Sequence, residues 1–235
     1  MTPVADQRVA IVTGAAAGIG RACVRELRRN GWLVAGCDLV QGEAADLDLV
    51  VDVSSAAEIE RAVGEVGRRL GVPTAVVSAA GYVEEIGLAD ISVAAFQRML
   101  SVHLGGLVNL CRATGPAMAA AGGGAIVAVA SELAIAGGED AVHYVTAKGA
   151  LLGLVRSLAV ELAPQGILVN AVAPGPTDTA MLAPGTIWRD PTYVATLPTR
   201  ALVQPEEIAI TAAFLLSGVG ALTGQVVSPN AGAVI

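Results

Sequence analysis

Residues 8–20, RVAIVTGAAAGIG, join a short apolar run to a turn of small residues. The β-branched and apolar run predicts a buried strand, and the segment 20–31, closed by Gly31, has the periodicity of an amphipathic helix. The three glycines of the turn let a pyrophosphate approach the backbone, while the helix directs its N-terminal N–H groups and positive dipole end at the charge. Glycine-rich turns also serve tight strand-to-helix packing, so the turn by itself is weak support for a cofactor site.

The alternation of apolar runs and helix-period segments continues along the chain. Strands are predicted at 8–14, 32–38, 48–53, 74–79, 125–130, 167–172 and 225–228, and helices at 20–31, 55–70, within 92–120, at 143–163 and at 205–217. Alternating elements with nearly continuous apolar strands predict a doubly wound (Rossmann) α/β fold, with a parallel seven-stranded sheet and helices on both faces. No linker or repeat divides the chain, so residues 1–235 are expected to form a single dinucleotide-binding and catalytic domain.

Composition excludes several classes of protein. An apolar fraction of 54% supports a large buried core, and the uncharged stretches 113–131 and 215–235 are interpreted as buried strands with turns because glycine or proline interrupts them. Residues 1–14 lack the basic start and long apolar region of a signal peptide, which predicts a cytoplasmic protein. A net charge of −7 with scattered arginines argues against nucleic acid or an anionic membrane as a partner.

The cysteines and histidines show no metal-binding pattern. Cys23, Cys37 and Cys111 are far apart in the sequence and lie in apolar surroundings, as buried thiols in a reducing compartment do. Only two histidines are present, His103 and His143, and no cysteines are clustered. No metal is therefore expected.

Asp38 lies eighteen residues after Gly20, at the end of the second predicted strand. A carboxylate there can accept hydrogen bonds from the adenosine ribose hydroxyls and repels a 2′-phosphate. Neither the alanines at 15–17 nor Leu39 supplies a cation for such a phosphate, so NAD is favoured over NADP. An ordinary strand-end acid is the alternative for Asp38.

The ends of two further predicted strands are also candidates for contacts with NAD. Asp52, followed by Val53, ends the third predicted strand where it can meet the adenine edge. The small residues at 79–81 end the fourth strand and would let a cofactor pass. Plain strand termini explain both segments equally well.

The segment YVTAK at 144–148 contains the only lysine of the chain. Positions four apart share one face of a helix, so Tyr144 and Lys148 project toward the same point. Ser131 ends the strand before this helix, at the sheet edge where ligands bind in open α/β folds. A free phenol titrates near ~10, and a neighbouring ammonium would lower that pKa for proton transfer at neutral pH. The alternative is a surface lysine beside a half-buried tyrosine.

In order and approximate spacing these motifs resemble the short-chain dehydrogenase/reductase family, in particular its 3-oxoacyl reductase-like and dihydrodiol dehydrogenase-like members. The resemblance covers essentially the whole chain through TGAAAGIG at 13–20, Asp38, DV at 52–53, AAG at 79–81, Ser131, YVTAK at 144–148, NAVAPGPTDT at 170–179 and TGQVVSPNAG at 223–232. It implies that Tyr144 is the general acid/base toward the substrate oxygen and that Ser131 orients this oxygen. Lys148 would hold the nicotinamide ribose and lower the Tyr144 pKa while hydride moves between nicotinamide and the substrate carbon.

The turn at 174–175 follows the sixth strand and can set backbone groups against the nicotinamide carboxamide. By resemblance Thr177 and Thr179 contact the carboxamide or the pyrophosphate, although ordinary loop threonines fit the sequence equally well. The predicted NAD site comprises Thr13, Gly14, Ala17, Gly18, Ile19, Gly20, Asp38, Leu39, Asp52, Val53, Ala79, Ala80, Gly81, Val102, Tyr144, Lys148, Pro174, Gly175, Thr177 and Thr179.

Three features depart from the family pattern. Ser78 and Ala79 replace two asparagines at the end of the fourth strand, and the segment after Asp38 is too short for the crossover helix of many members. His103 replaces an asparagine that, in the family, helps hold a water linking the lysine to solvent. Three interpretations of His103 are open: its backbone carbonyl preserves the relay, its imidazole shuttles protons near neutral pH, or the chemistry is impaired.

Residues 180–204 form the longest segment without a predicted element, and such loops commonly act as lids. The resemblance places the substrate lid here, with Glu132, Met181 and Trp188 as substrate contacts. A surface loop anchored by a buried Trp188 is the alternative.

The expected substrate is a small, fairly apolar secondary alcohol, ketone or cyclic diol. Relatives that act on an acyl carrier protein dock it with basic residues, but Gln165 and the glycines 122–124 occupy those places in this acidic chain. A 3-oxoacyl thioester reductase and a catalytically impaired NAD-sensing protein are the alternative functions. By analogy with the family, a homotetramer is expected.

Overall fold

The structure, a computed structural model, describes residues 8–234. Its strands are β1 Val9–Thr13, β2 Leu33–Asp38, β3 Leu47–Val50, β4 Pro73–Ser78, β5 Gly124–Val129, β6 Ile167–Val172 and β7 Val226–Val227. All pair in parallel within one sheet of order β3-β2-β1-β4-β5-β6-β7, so the predicted doubly wound fold is confirmed. The prediction that residues 1–14 are not a signal peptide includes residues 1–7, which lie outside the described part of the chain.

The helices are α1 Gly18–Arg29, α2 Ala56–Arg69, α3 Val93–Leu100, α4 Gly106–Ala120, α5 Leu133–Ala136, α6 Val142–Leu162, α7 Pro191–Thr196 and α8 Pro205–Leu215. Helices α1 and α8 cover one face of the sheet, and α2, α4 and α6 cover the other. The predicted helical region within 92–120 contains a π-helical turn at Ser101–Gly105 that separates α3 from α4. None of the helices within residues 8–234 has the length and hydropathy needed to cross a bilayer.

The core consists of two apolar layers, one on each face of the sheet. Successive side chains of a strand point to opposite faces, so in β4 Val76 packs in one layer while Ala75 and Val77 pack in the other. Because both faces are covered by helices, the inner strands are apolar along most of their length. This rigid sheet fixes the strand ends from which the functional residues project.

Several local predictions need correction or refinement. The predicted absence of a crossover helix between β2 and β3 is confirmed. In the short connection that replaces it, the Asp46 carboxylate accepts a hydrogen bond from the Val34 N–H at 2.9 Å. The segment 180–204 is not wholly irregular, because it contains a 3₁₀ turn at Ile187–Arg189 and helix α7. Helix α5 was not expected, and strand β5 ends at Val129 rather than at Ser131.

Candidate active site

A cleft of about 870 Å³ opens along the carboxyl ends of the strands. The order of the sheet reverses between β1 and β4, and this switch point is where open α/β sheets bind ligands. Of the predicted residues, the cleft is lined by Gly14, Ala17, Gly18, Ile19, Gly20, Asp38, Leu39, Asp52, Val53, Ala79, Ala80, Gly81, Val102, His103, Ser131, Glu132, Tyr144, Lys148, Pro174, Gly175, Thr177, Thr179, Met181 and Trp188. One shared cavity therefore brings together the predicted catalytic, cofactor and substrate residues except for Thr13.

The glycine turn is tight, and it leaves the N-terminus of α1 open to the cleft. A Cβ on Gly20 would lie 2.0 Å from the Gly14 carbonyl oxygen, which excludes any other residue without movement of the turn. The N-cap of α1, Ala17, provides no side-chain hydrogen bond, and the first turn holds no acidic residue. Free backbone N–H groups at a helix N-terminus are donors suited to a pyrophosphate, so this end of the cleft fits a dinucleotide.

Thr13 holds two strands together instead of lining the cleft. It is fully buried, and its Oγ1 accepts the N–H groups of Ala79 and Ala80, each at 3.1 Å. The structure thus places this residue behind the wall of the cleft and not on it, contrary to its prediction as a cofactor contact. Its hydroxyl does not contact the cleft but fixes the end of β4 against the glycine turn.

Two carboxylates lie near the ends of β2 and β3. Asp38 is the last residue of β2, whereas Asp52 lies two residues after the end of β3 and not within that strand as predicted. Asp38 Oδ2 accepts the Ala16 N–H at 2.9 Å, which ties this carboxylate to the glycine turn. Asp52 Oδ1 accepts both the N–H and the hydroxyl of Ser54, at 2.9 and 2.7 Å. A 2′-phosphate placed near Asp38 would meet negative charge, whereas ribose hydroxyls would meet acceptors.

Ser131, Tyr144 and Lys148 meet at the centre of the cleft. Helix α6 places Lys148 one turn after Tyr144, and the ammonium lies 5.6 Å from the centre of the phenol ring. The Lys148 ammonium donates to the Val129 carbonyl at 2.7 Å. The Ser131 hydroxyl donates to Glu132 Oε2 at 2.9 Å and accepts the Leu133 N–H at 3.2 Å.

The pKa shifts differ from the sequence argument. Burial raises the pKa of Tyr144 to about 12; the hydrogen bond with Ser131 opposes this shift and the Glu132 carboxylate adds to it. Burial lowers the pKa of Lys148 to about 7. The expected lowering of the Tyr144 pKa is therefore absent, because desolvation of the phenol dominates.

His103 lies in the π-helical turn and faces Tyr144. Its ring is 5.7 Å from that of Tyr144 in an edge-to-face arrangement, and its Nε2 is 3.0 Å from the Tyr82 carbonyl oxygen. Burial lowers the His103 pKa to about 3, and the Lys148 charge adds to this shift. The imidazole is consequently neutral near pH 7, which removes the basis for a shuttle that titrates in that range.

Gly81 makes room for this imidazole. A Cβ at Gly81 would lie 2.3 Å from the His103 Cε1. The sequence argument assigned Gly81 to cofactor passage, whereas the structure adds a steric requirement set by His103. The position of the His103 imidazole therefore requires glycine at 81.

The segment after β6 forms the wall of the cleft opposite the glycine turn. Thr177 is buried, and its hydroxyl donates to the Gly175 carbonyl at 2.8 Å, so it stabilises the turn. A Cβ at Gly175 would lie 2.6 Å from the Asn230 Cα, which explains the glycine. Thr179 stands opposite the glycine turn, with its Cγ2 at 3.3 Å from a Cβ placed on Gly18.

Residues of the segment 180–204, the predicted lid, line the other end of the cleft. Trp188 Nε1–H donates to Glu85 Oε1 at 3.0 Å, and the indole packs edge-to-face with Tyr193 at 5.1 Å. Met181 is half exposed on the same wall. Glu132 is only 6% exposed, and burial raises the pKa of its carboxyl.

Sequence reasoning missed the loop after β4 and the loop before α6. Tyr82, Glu85 and Glu139 line the cleft but belong to no motif. These residues could have been suggested only by their place in the sequence, because both loops are adjacent to predicted site residues. No sequence pattern indicates the contact between Glu85 and Trp188, because the two residues are 103 positions apart in the chain.

A family model described as Enoyl-(Acyl carrier protein) reductase matches residues 14–233. A cis-4-hydroxycyclohexanecarboxylate dehydrogenase of Sinomonas cyclohexanicum is 38% identical over 228 residues, with 90% of each chain covered. A 3-oxoacyl-(acyl-carrier-protein) reductase of Pseudomonas aeruginosa is 32% identical, with 96% of each chain covered. A crystal structure titled ribose-5-phosphate isomerase, from Brucella melitensis, has a TM-score of 0.88 and 31% identity, and the match covers 96% of this chain and 91% of that one.

Proposed function

The chain belongs to the short-chain dehydrogenase/reductase family, and from that premise we propose that it is an NAD(H)-dependent alcohol dehydrogenase or ketone reductase. The proposed reaction transfers hydride between nicotinamide and the carbinol or carbonyl carbon of a small, fairly apolar secondary alcohol, ketone or cyclic diol. The observation that carries the proposal is that Ser131, Tyr144 and Lys148 share one cleft with the uncapped end of α1 and with Asp38.

The proposed proton chemistry centres on Tyr144 Oη. A bound nicotinamide cofactor supplies or accepts the hydride. The phenol, with its pKa raised to about 12, is protonated at neutral pH and can donate its proton to a carbonyl oxygen. Lys148, with its pKa near 7, can hold or release a proton beside it. Ser131 orients the substrate oxygen through its hydroxyl.

The proposed preference for NAD rests on the adenosine end of the cleft. Asp38 is held in place by the Ala16 N–H, and Asp52 adds a second carboxylate to the same wall. Among the described residues the cations of the cleft wall are Arg98 and Lys148, and neither belongs to the glycine turn or to the β2 end. Acceptors without a nearby cation favour ribose hydroxyls over a 2′-phosphate.

A 3-oxoacyl thioester reductase is the second candidate, because a relative at 32% identity carries that name. The net charge of −7 opposes docking of an acidic carrier protein. Purified chain assayed with NADH and either a free ketone or a 3-oxoacyl thioester separates the two candidates. Turnover of the thioester alone would favour the second one.

We further propose a cytoplasmic homotetramer, by analogy with the family. Val160 on α6 is 80% exposed, and Ile210 and Phe214 on α8 are each more than half exposed. Apolar side chains left open on two helices are consistent with packing against further copies. Light scattering after size-exclusion chromatography tests the proposed assembly, and a monomeric mass would contradict it.

Substitution Tyr144→Phe tests the proposed acid/base. It removes the hydroxyl and keeps the ring that packs against His103, so the site should remain folded. We expect turnover to fall by at least about 1,000-fold, roughly 4 kcal/mol in barrier, with NADH affinity within about threefold of the wild type. Retained turnover would refute the assignment. Loss of NADH binding would show that the phenol serves the cofactor instead.

A further inference from the structure

Three carboxylates line the substrate end of the cleft. Glu85 follows β4, Glu132 follows β5, and Glu139 precedes α6, so three separate loops contribute one acid each. Glu132 is buried beside Ser131, whereas Glu85 and Glu139 are exposed at the rim. An ionised carboxylate only accepts hydrogen bonds.

Two of these acids are fixed by neighbouring groups and can still accept further hydrogen bonds. Glu132 Oε2 accepts the Ser131 hydroxyl at 2.9 Å, and Glu85 Oε1 accepts the Trp188 indole N–H at 3.0 Å. A carboxylate has about four lone-pair sites, so one protein donor leaves capacity for a donor on a substrate. Glu132 is hydrogen-bonded to Ser131, which is proposed to orient the substrate oxygen. Glu85 is hydrogen-bonded to Trp188 of the predicted lid.

The cations near this end are engaged elsewhere. Lys148 donates to the Val129 carbonyl, and Arg98 lies 3.7 Å from the Glu84 carboxylate. Arg189 in the lid contacts the Asp178 carboxylate at 2.6 Å and donates to the carbonyls of Thr179 and Leu182. Among residues 8–234, the cleft wall contains no other cation that could pair with a substrate anion.

We propose that this end of the cleft selects uncharged alcohols that carry a second hydrogen-bond donor, such as diols, and discriminates against anionic substrates. The inference rests on the proposed function and narrows its substrate class. A hydroxyl at Ser131 and Tyr144 is the reacting group, and the second hydroxyl donates to Glu85 or Glu132. A carboxylate in its place would face like charges without a compensating cation.

Four cyclohexanols that differ at one substituent test this selection: 1,4-cyclohexanediol, cis-4-hydroxycyclohexanecarboxamide, cyclohexanol and cis-4-hydroxycyclohexanecarboxylate, each with NAD. We expect kcat/KM to be highest for the diol and at least about tenfold lower for the carboxylate than for the carboxamide. A wild-type preference for the carboxylate over the carboxamide would overturn the inference and leave the proposed function intact. Absence of turnover with all four, together with no NADH formation from a wider panel of secondary alcohols and cyclic diols, would remove both.

Charge-removing variants identify the responsible residues. Glu85→Gln keeps an acceptor for the Trp188 indole and should raise the carboxylate-to-carboxamide ratio of kcat/KM about tenfold, while the diol loses about threefold because its acceptor is no longer charged. Glu132→Gln should shift the ratio in the same direction. Glu161→Gln removes an exposed carboxylate from α6 outside the cleft and should leave the ratio unchanged. The inference is wrong if neither cleft variant changes the ratio, or if Glu161→Gln changes it equally.

Discussion

The cofactor end and the substrate end of the cleft are built in different ways. The cofactor end uses backbone N–H groups, glycines and strand-end carboxylates, and its central feature is the contiguous turn between β1 and α1. The substrate end uses side chains from separate loops, among them Glu85, Glu132 and Trp188. A site made of backbone has a spacing that can be found in the sequence, whereas a site made of side chains depends on which loops meet after folding.

Lys148 lies between the two ends, and replacing it should produce the largest effect. We expect Lys148→Met to lower turnover by more than about 1,000-fold, because the only ammonium beside Tyr144 is lost. The same change should stabilise the fold, because the buried amine no longer requires desolvation. Turnover near that of the wild type would show that the Lys148 ammonium is needed neither for cofactor binding nor for proton transfer at Tyr144.

The stability effect of Lys148→Met has a defined pH dependence. The unfolded lysine binds a proton up to its ordinary pKa near ~10.4, whereas the folded one releases it near 7, so the wild-type free energy of unfolding rises with pH between these values. The variant should be more stable by roughly 4–5 kcal/mol below pH 7, and the difference should vanish toward pH 10. Urea unfolding across this range measures it; a difference that grows with pH would contradict the burial of a neutral amine.

Gly20→Ala should damage the cofactor end alone. A Cβ would overlap the Gly14 carbonyl oxygen at 2.0 Å, so the turn must open. We expect NADH affinity to fall about 100-fold, roughly 2.7 kcal/mol. Gly67→Ala, at a helical position where a Cβ meets nothing within 4 Å, is the matched control and should leave affinity unchanged. Circular dichroism confirms that both variants fold, and NADH affinity within about threefold for Gly20→Ala would contradict the turn's role.

The two ends also differ in how well the sequence predicted them. The glycine turn, Asp38 and the spacing of Ser131, Tyr144 and Lys148 all point to residues that line one cleft. Thr13 was misplaced because a residue at the tip of a buried strand can face either the groove or the next strand, and spacing does not distinguish these directions. The Tyr144 pKa was expected to fall, but burial dominates it, and the extent of burial is a property of tertiary packing.

Asp38→Asn tests the adenosine end with a smaller expected effect. The amide retains a hydrogen-bonding group for the ribose and removes the charge that repels a 2′-phosphate. We expect the ratio of NADPH to NADH dissociation constants to fall about tenfold, roughly 1.4 kcal/mol. Fluorescence titration with both cofactors measures the ratio. An unchanged ratio, or wild-type protein that binds both equally, would remove Asp38 from cofactor selection.

His103→Asn should have the smallest effect, although His103 contacts the catalytic region. The imidazole is neutral near pH 7, and its loss leaves the backbone carbonyl at this position in place. We expect turnover to stay within about tenfold, or 1.4 kcal/mol in barrier. Initial rates with one alcohol at saturating NAD provide the measurement. Complete loss of activity would show that the imidazole itself is needed.

The two ends of the cleft are proposed to act together in hydride transfer between nicotinamide and the substrate carbon. Wild-type protein mixed with NAD and a panel of secondary alcohols and cyclic diols tests it most directly, through the absorbance of the reduced cofactor. We expect NADH to form with at least one member of the panel, more efficiently than NADPH forms from NADP, and we expect Tyr144→Phe to form neither. Protein that binds NAD and reduces none of it across the panel would contradict the account and favour an NAD-sensing role.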